Sequence, residues 1–344
     1  MDAIVQTGAE SVELQQRDRP TPGDDEVLLE VHTAGLCGSD AHAYLLEEGY
    51  EWIPIPRIMG HEYSAEVVEV GNEVDAFEGG EKVVEEPVRN CGQCFQCHNG
   101  QPNVCQDFSI RGMHRDGAYT KYVVAEPRQL HTIPGLVSLE EAAITEPTSI
   151  ATRAVFERSQ TTPGDDVLVK GPGPIGVLVA AVADSIGANV VVSGLRADAT
   201  YRLPLLEALG IETVNVEETD LEAFSDSFTG DKGYDVVFDT TGHKSGVEMA
   251  LDYVRKGGEI VVVGLPNSPS ELFVTPVVRG EIDIVTSYGS VWRDFERALG
   301  LMEKGAIDAE AIIDTSYDVT DPGPAFEAFL NSETCKPVFS FHEL

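Results

Sequence analysis

Asp166-Val167-Leu168-Val169-Lys170-Gly171-Pro172-Gly173-Pro174-Ile175-Gly176 is the stretch on which the fold turns. Its first five residues read as a strand. A GxGxxG pattern follows, and the run from Val177 to Ile186 is apolar and helix-like. Ala188-Asn189-Val190-Val191-Val192-Ser193 then reads as a second strand, which completes a βαβ unit. A lone GxGxxG is a weak signal, but between a strand and a helix it has the setting that a dinucleotide site needs. Gly171 and Gly173 let the backbone turn and approach a pyrophosphate, and Gly176 lets helix and strand pack closely. Pro174 and Ile175 open the helix whose free amides would meet the phosphates.

Working outward, the same rhythm continues. Tyr234–Asp239 and Glu259–Gly264 read as further strands, and Ile282–Val285 as the last of the sheet. Strands alternating with helices predict a doubly wound parallel sheet over residues 148–285. Gly194, Arg196, Val263, Gly264, Leu265 and Ser287 are the further candidates for cofactor contact. The acid expected about 20 residues past the motif is missing, and Leu195 stands there. An acid would bind the ribose 2′-hydroxyl of NAD and repel a 2′-phosphate. Arg196, with Arg202 nearby, could instead meet that phosphate, unless both are ordinary surface residues. NADP is therefore modestly favoured over NAD, with use of both left open.

Before residue 140 the pattern is different. Val27–Thr33, Ala65–Val70, Lys82–Val84 and Tyr119–Val124 are short strand-like runs separated by glycine and proline turns, which argues for a mostly β, barrel-like domain. No helix of convincing length is expected there. Leu139 to Phe156 reads as helical, interrupted at Glu146-Pro147. A helix near Trp292–Lys304 and a final strand Lys336–Phe341 are expected to rejoin this domain, so its bounds are 1–147 and 286–344.

Two groups of residues in the first half carry chemistry. Cys37-Gly38-Ser39-Asp40-Ala41-His42 is answered by Gly60-His61-Glu62. A thiol, an imidazole and a carboxylate from separate pieces of backbone can meet at one metal ion, and Glu146 is a further carboxylate within the same half. Ser39 and His42 beside the thiol could move a proton. Cys91, Cys94, Cys97 and Cys105 follow CxxCxxCx7C, the pattern of a closed four-thiolate zinc site. An iron–sulfur cluster or unliganded thiols are the alternatives. The loop has no basic surround, so this metal should order a lobe rather than read a nucleic acid.

Composition narrows the setting. Of 344 residues, 59 are acidic and 23 basic, a formal net charge of −36, which repels nucleic acid and anionic membrane surfaces. The acids are spread through patterned segments, so they describe a solvated folded surface rather than a disordered tail. Such a surface suits a salt-rich cytoplasm, hence a halophilic source. The opening residues lack a secretory pattern, and no run of about 18 apolar residues is present, so a cytoplasmic location is expected.

With these motifs in place the whole length resembles the zinc-dependent medium-chain alcohol dehydrogenases. The marks are CGSDAH, GHE at 60–62, the four-cysteine lobe, Glu146-Pro147 and GPGPIG. Ser39-Asp40, Glu146-Pro147 and Ile53-Pro54-Ile55-Pro56 are similar to the sorbitol, polyol and threonine dehydrogenase branch. The resemblance implies an α/β protein with a GroES-like, mostly β catalytic domain and a Rossmann domain. It implies catalytic zinc on Cys37 and His61, with Glu62 a direct or exchangeable ligand and Glu146 bound directly or through water. It implies structural zinc on the four cysteines. Ser39 would pass the alcohol proton to the cofactor ribose, and His42 would hand it to solvent. The partner is then a small-molecule alcohol (a polyol, sugar or hydroxy amino acid such as threonine), with hydride passing to NAD(P), in a dimer or tetramer.

Departures from the family pattern are Leu195, Gly80-Glu81-Lys82 in place of a Gly-Asp-Arg run, and Ala65 in place of glycine. Tyr44, Tyr50, Trp52 and Tyr288 are candidate pocket residues, with Asp40 and Glu146 suited to hydroxyl-rich substrates. The rival readings are a zinc-free enone or quinone reductase of the same fold and a non-enzymatic nucleotide-binding protein.

The charge balance makes a direct prediction. Screening over about 3 Å at 1 M salt, against about 10 Å at 0.1 M, should relieve self-repulsion. The melting temperature should rise steadily between 0.1 and 2 M potassium chloride by calorimetry; a flat or falling curve would remove the halophilic reading.

Overall fold

The computed structural model describes residues 1–342, which fall into two compact units. One comprises Met1–Ser149, Gly289–Gly305 and the chain from Ala309 on; the other is Ile150–Tyr288 with Ala306–Asp308.

The first unit is built on a mostly antiparallel sheet. Its strands lie in the order Leu130–Thr132, Lys82–Glu85, Glu62–Val70, Val27–Gly35, Pro337–Ser340 and Thr315–Tyr317, and Tyr122–Ala125 also pairs with Val27–Gly35. A smaller sheet holds Ser11–Gln16, Asp2–Gly8 and Arg57–Ile58. Alternation along the central strand sends Val27, Leu29 and Val31 into a core shared with Val67, Val83, Tyr119, Phe326, Phe339 and Phe341. A buried polar network also runs through this unit. Arg111 pairs with Glu85, which accepts from the Tyr63 hydroxyl at 2.7 Å, while Arg115 lies 3.3 Å from the same carboxylate.

One element was not expected. Gly38–Leu45 is a helix of 8 residues that starts directly after Cys37. Gly38 and Ser39 at its start obscure it, and its buried face is short: Asp40, Ala41, Ala43 and Tyr44. The second departure concerns Glu146-Pro147. Leu139–Ala142 is a separate short helix, and Glu146 and Pro147 lie in the first turn of the next one, Thr145–Arg153. Proline is tolerated in a first turn because the amide it lacks has no intrahelical partner there. The pair begins a helix rather than interrupting one.

The second unit is a parallel sheet ordered Glu212–Asn215, Asn189–Gly194, Asp166–Lys170, Tyr234–Asp239, Val254–Val262 and Asp283–Thr286. This order, reversing beside the strand that carries the glycine motif, is that of the Rossmann fold. Its central strands are apolar on both faces, with Leu168, Val191 and Val237 fully buried, as expected for a sheet covered by helices on both sides. Among the described residues, no helix is long and apolar enough to cross a membrane.

Candidate active site and metal centres

Cys37 and His61 are brought together by strand register. In the antiparallel pair Val27–Gly35 and Glu62–Val70, Gly35 lies opposite Glu62. Cys37 leaves one strand two residues past Gly35, and His61 enters the other one residue before Glu62. Gly60 makes that entry possible: its φ is +89°, and a Cβ there would sit 2.2 Å from the Tyr119 ring. One ligand atom from each of Cys37, His61 and Glu62 lies within 4.8 Å of the others.

Asp40 organises this group from beneath. It is 1% exposed. Its Oδ2 accepts from the Tyr119 hydroxyl at 2.9 Å and the Cys37 amide at 3.2 Å; its Oδ1 accepts from the Gly60 amide at 3.4 Å and lies 3.6 Å from His61 Nδ1. Burial alone would raise its pKa, but His61, Tyr119 and the Cys37 amide outweigh burial and hold the carboxyl below its ordinary value. Asp40 is thus spent on the scaffold, which corrects the expectation that it would suit substrate hydroxyls. Tyr44 is corrected too: it is 6% exposed and stacks on Phe326 at 4.6 Å, so it belongs to the core.

Lys336 is the residue that sequence reasoning missed. It is 1% exposed, forms an ion pair with the fully buried Glu62, and donates to the Leu36 carbonyl at 2.9 Å. It arrives just ahead of the strand Pro337–Ser340, in which Val338 lies opposite Gly35. Gly35 leaves room for the pair, since a Cβ there would come within 2.8 Å of Glu62 Oε2. Nothing local in the sequence announces a partner 300 residues away from Leu36.

The remaining candidates surround this group. Glu146 lies outside the tight three-residue cluster. Burial pushes its carboxyl up to about 7, with Glu62 and Asp40 adding to the rise and His61 and Lys336 opposing it. Ser39 is half-buried. The His42 side chain is 48% exposed, with Nδ1 at 2.8 Å from Glu47 Oε2, a partner that sequence reading also missed. Tyr50 stacks on His42 at 5.4 Å, and burial, followed by the charges of Cys37 and Asp40, pushes its hydroxyl up to about 12. Trp52 is 49% exposed and packs on His114.

The donors suit a divalent cation. Burial disfavours charge on His61, yet Asp40 and Cys37 raise its pKa well above the ordinary value, so the pocket attracts positive charge. Glu62 Oε1 is buried with no hydrogen-bond partner among the described residues. A carboxylate beside the histidine ring is the usual support of a metal-binding imidazole.

The four-cysteine lobe is built from Val88–Arg89 paired with Ser109–Ile110, the short helix Phe95–His98 and the turn Pro102–Val104. Its sulfurs lie 3.5 Å apart for Cys94–Cys97, 3.7 Å for Cys94–Cys105 and 3.4 Å for Cys91–Cys105. Thiolates about 2.3 Å from a tetrahedral zinc are separated by roughly 3.8 Å, so the lobe nearly has that shape already.

In the second unit, Gly171 and Gly173 form the turn after Asp166–Lys170, Pro174 is the first residue of the helix Pro174–Ser185, and Gly176 lies in the first turn of that helix. A Cβ on Gly176 would lie 1.8 Å from the Gly171 carbonyl, so no other residue fits. Gly194 ends its strand, Val263 and Gly264 follow Val254–Val262, and Ser287 follows Asp283–Thr286. All of these therefore lie along the carboxyl edge of the parallel sheet. Leu265 lies just beyond and is 62% exposed. Arg202 is 9% exposed and 3.5 Å from Asp198, so it cannot meet a phosphate as expected.

Residues 23–135 match the model of the alcohol dehydrogenase GroES-like domain, and residues 174–304 that of the zinc-binding dehydrogenases. Sorbitol dehydrogenase of Halalkalibacterium halodurans is 34% identical, over 98% of each chain. The 2-dehydro-3-deoxy-L-galactonate 5-dehydrogenase of Pseudoalteromonas atlantica is 33% identical over 95% of this chain and 94% of its own. L-threonine 3-dehydrogenase of Shewanella loihica is 30% identical over 96% and 97%. Among solved structures, an alcohol dehydrogenase from Escherichia coli CFT073 complexed with NADH superposes with a TM-score of 0.90 at 29% identity, covering 99% of both chains. A zinc-binding dehydrogenase from Sinorhizobium meliloti bound to NADP gives 0.89 at 26% identity, covering 98% of both.

The chain belongs to the zinc-dependent medium-chain alcohol dehydrogenase family, in its polyol and threonine dehydrogenase branch. It is an oxidoreductase that uses zinc and NAD(P) to move a hydride between an alcohol and a ketone.

Lys336→Met should cost on the order of 3–5 kcal/mol, because it strands a buried carboxylate. Adding Glu62→Gln should restore part of that loss, as measured by urea unfolding of the zinc-loaded enzyme. A double variant as unstable as the sum of the singles would disprove the pairing.

Proposed function

We propose that this enzyme oxidises a secondary alcohol within a hydroxylated carbon chain, a polyol, sugar or hydroxy amino acid such as threonine, and reduces the matching ketone. The observation that carries this reading is the convergence of Cys37, His61 and Glu62 beside Ser39 and the exposed His42. The names of the similar proteins support the substrate class without choosing among its members.

Cys37, His61 and Glu62 would hold the catalytic metal, with Glu146 completing the shell directly or through water. Asp40 fixes the ring of His61. When bound, zinc would supply Lewis acidity and NAD(P) would supply the hydride acceptor. Ser39 would take the alcohol proton, and His42, steadied by Glu47, would release it to water. Cys91, Cys94, Cys97 and Cys105 would hold the structural zinc. Gly171, Gly173, Pro174, Ile175, Gly176, Gly194, Val263, Gly264, Leu265 and Ser287 would line the dinucleotide.

The chain would work in the cytoplasm as a homo-oligomer, a dimer or tetramer. Phe273, Val274 and Val278 are 73%, 58% and 68% exposed at and along the helix Val274–Gly280, an apolar surface of the kind that copies bury in one another.

Cys37→Ser should lower bound zinc from two ions per chain to one, by mass spectrometry of the metal, and cut alcohol oxidation by roughly 10³-fold or more. Full turnover with a single zinc would favour a zinc-free enone or quinone reductase. Wild-type enzyme that oxidises nothing in a panel of polyols, aldoses and threonine, with either cofactor, would favour a non-enzymatic nucleotide-binding protein. Cys94→Ser should instead lose the other zinc and sharply lower the melting temperature, since a structural zinc contributes directly to folding.

A further inference from the structure

We infer that Glu217, supported by Glu218, sets the cofactor preference of this enzyme, and that the preference is for NAD over NADP. The inference rests on the dinucleotide-binding reading of the glycine motif and goes beyond it, since that motif serves both cofactors.

In this fold the adenosine ribose lies at the end of the second strand, here Asn189–Gly194, where an acid would engage its hydroxyls. Gly194 ends that strand without a side chain, and Leu195, which follows it, is 53% exposed. Its side chain can neither accept from a ribose nor repel a phosphate. The structure supplies a carboxylate to the same place from the neighbouring strand. Gly194 pairs in parallel register with Asn215, and Val216 donates to the Gly194 carbonyl at 3.0 Å. Two residues past the pair on each side, the Arg196 amide donates to Glu217 Oε2 at 2.6 Å. Glu217 is therefore held at the ribose end of the strand by its own backbone neighbour, and the Asn215 side chain accepts from the Glu217 amide at 3.1 Å.

The nearby cations do not reverse the sign. The Arg202 guanidinium is buried against Asp198, whose other oxygen accepts from the Leu195 amide at 2.9 Å. That pair is neutral and turned to the scaffold. The Arg196 guanidinium is exposed, 3.6 Å from Glu218. At the rim there are thus two carboxylates, Glu217 and Glu218, for one guanidinium. A 2′-phosphate brings close to two negative charges to a rim that is already negative, whereas a 2′-hydroxyl brings a donor that a carboxylate accepts. Both effects favour NAD.

The test is calorimetric titration of the zinc-loaded enzyme with NAD⁺ and NADP⁺, at the lowest salt at which circular dichroism shows the chain folded. The wild type should bind NAD⁺ roughly tenfold or more tightly than NADP⁺. Glu217→Gln, which keeps shape and removes charge, should lower that ratio by about tenfold, and Glu218→Gln by less. Raising salt should narrow the wild-type ratio, because repulsion is screened. A wild type that prefers NADP⁺, with Arg196→Ala abolishing the preference, would overturn the inference and restore Arg196 as a phosphate ligand. An unchanged ratio in Glu217→Gln would overturn the role of Glu217. Binding of neither dinucleotide would remove the cofactor reading itself.

Discussion

The register of three strands is the constraint on which the catalytic unit depends. Val27–Gly35 lies between Glu62–Val70 and Pro337–Ser340, and Gly35 faces Glu62 on one side and Val338 on the other. From that single level Cys37, His61, Glu62 and Lys336 are all delivered. A slip of one residue in either pairing would turn alternate side chains to the opposite face and scatter the group. The bulges that interrupt the register near Leu28 and Val31 lie on the far side of this level, so they adjust the strand without disturbing the end that matters.

Charge explains why the arrangement suits a metal. Buried carboxylates are costly, by several kcal/mol each, unless something offsets them. Asp40 is satisfied by amide and hydroxyl donors and by His61. Glu62 has Lys336 on one oxygen and, among the described residues, no hydrogen-bond partner on the other. Cys37 adds a sulfur that binds metal as thiolate. One ammonium cannot balance this set, and the uplift of His61 expresses the same deficit as an attraction for a proton. A divalent cation meets the deficit more fully and leaves the imidazole as a neutral ligand. Lys336 has a second consequence, since a metal bound at this group would share Glu62 with its ammonium.

What could be read in the sequence was the part written locally. The glycine motif, the four cysteines and the CGSDAH and GHE segments each place their chemistry within a few residues, so their types and spacings speak for themselves. The helix Gly38–Leu45 was hidden because its eight residues begin with glycine and serine, both poor helix formers in a helix interior. The role of Glu146-Pro147 was misjudged because proline is a breaker within a helix but acceptable in its first turn. Tyr44 and Asp40 went astray for a common reason. Burial is decided by what packs from elsewhere, and Phe326 and Tyr119 are distant in sequence.

The same distinction separates the two ends of the cofactor site. At the pyrophosphate end the motif is consecutive backbone, so it is legible, and Gly171 (φ +96°) and Gly176 each have a steric reason within the chain. At the ribose end the inferred carboxylate comes from a neighbour across a parallel pair. Parallel strands keep equal offsets side by side, so Gly194 opposite Asn215 carries Arg196 to Glu217. A search for an acid only along the strand that ends at Gly194 finds leucine and then arginine, which points towards phosphate. A search across the sheet finds a carboxylate already hydrogen-bonded to that arginine's amide. On the inference that Glu217 faces the ribose, the apparent loss of the acid is a change of the strand that supplies it, and the charge there is set by the sheet's register rather than by the motif.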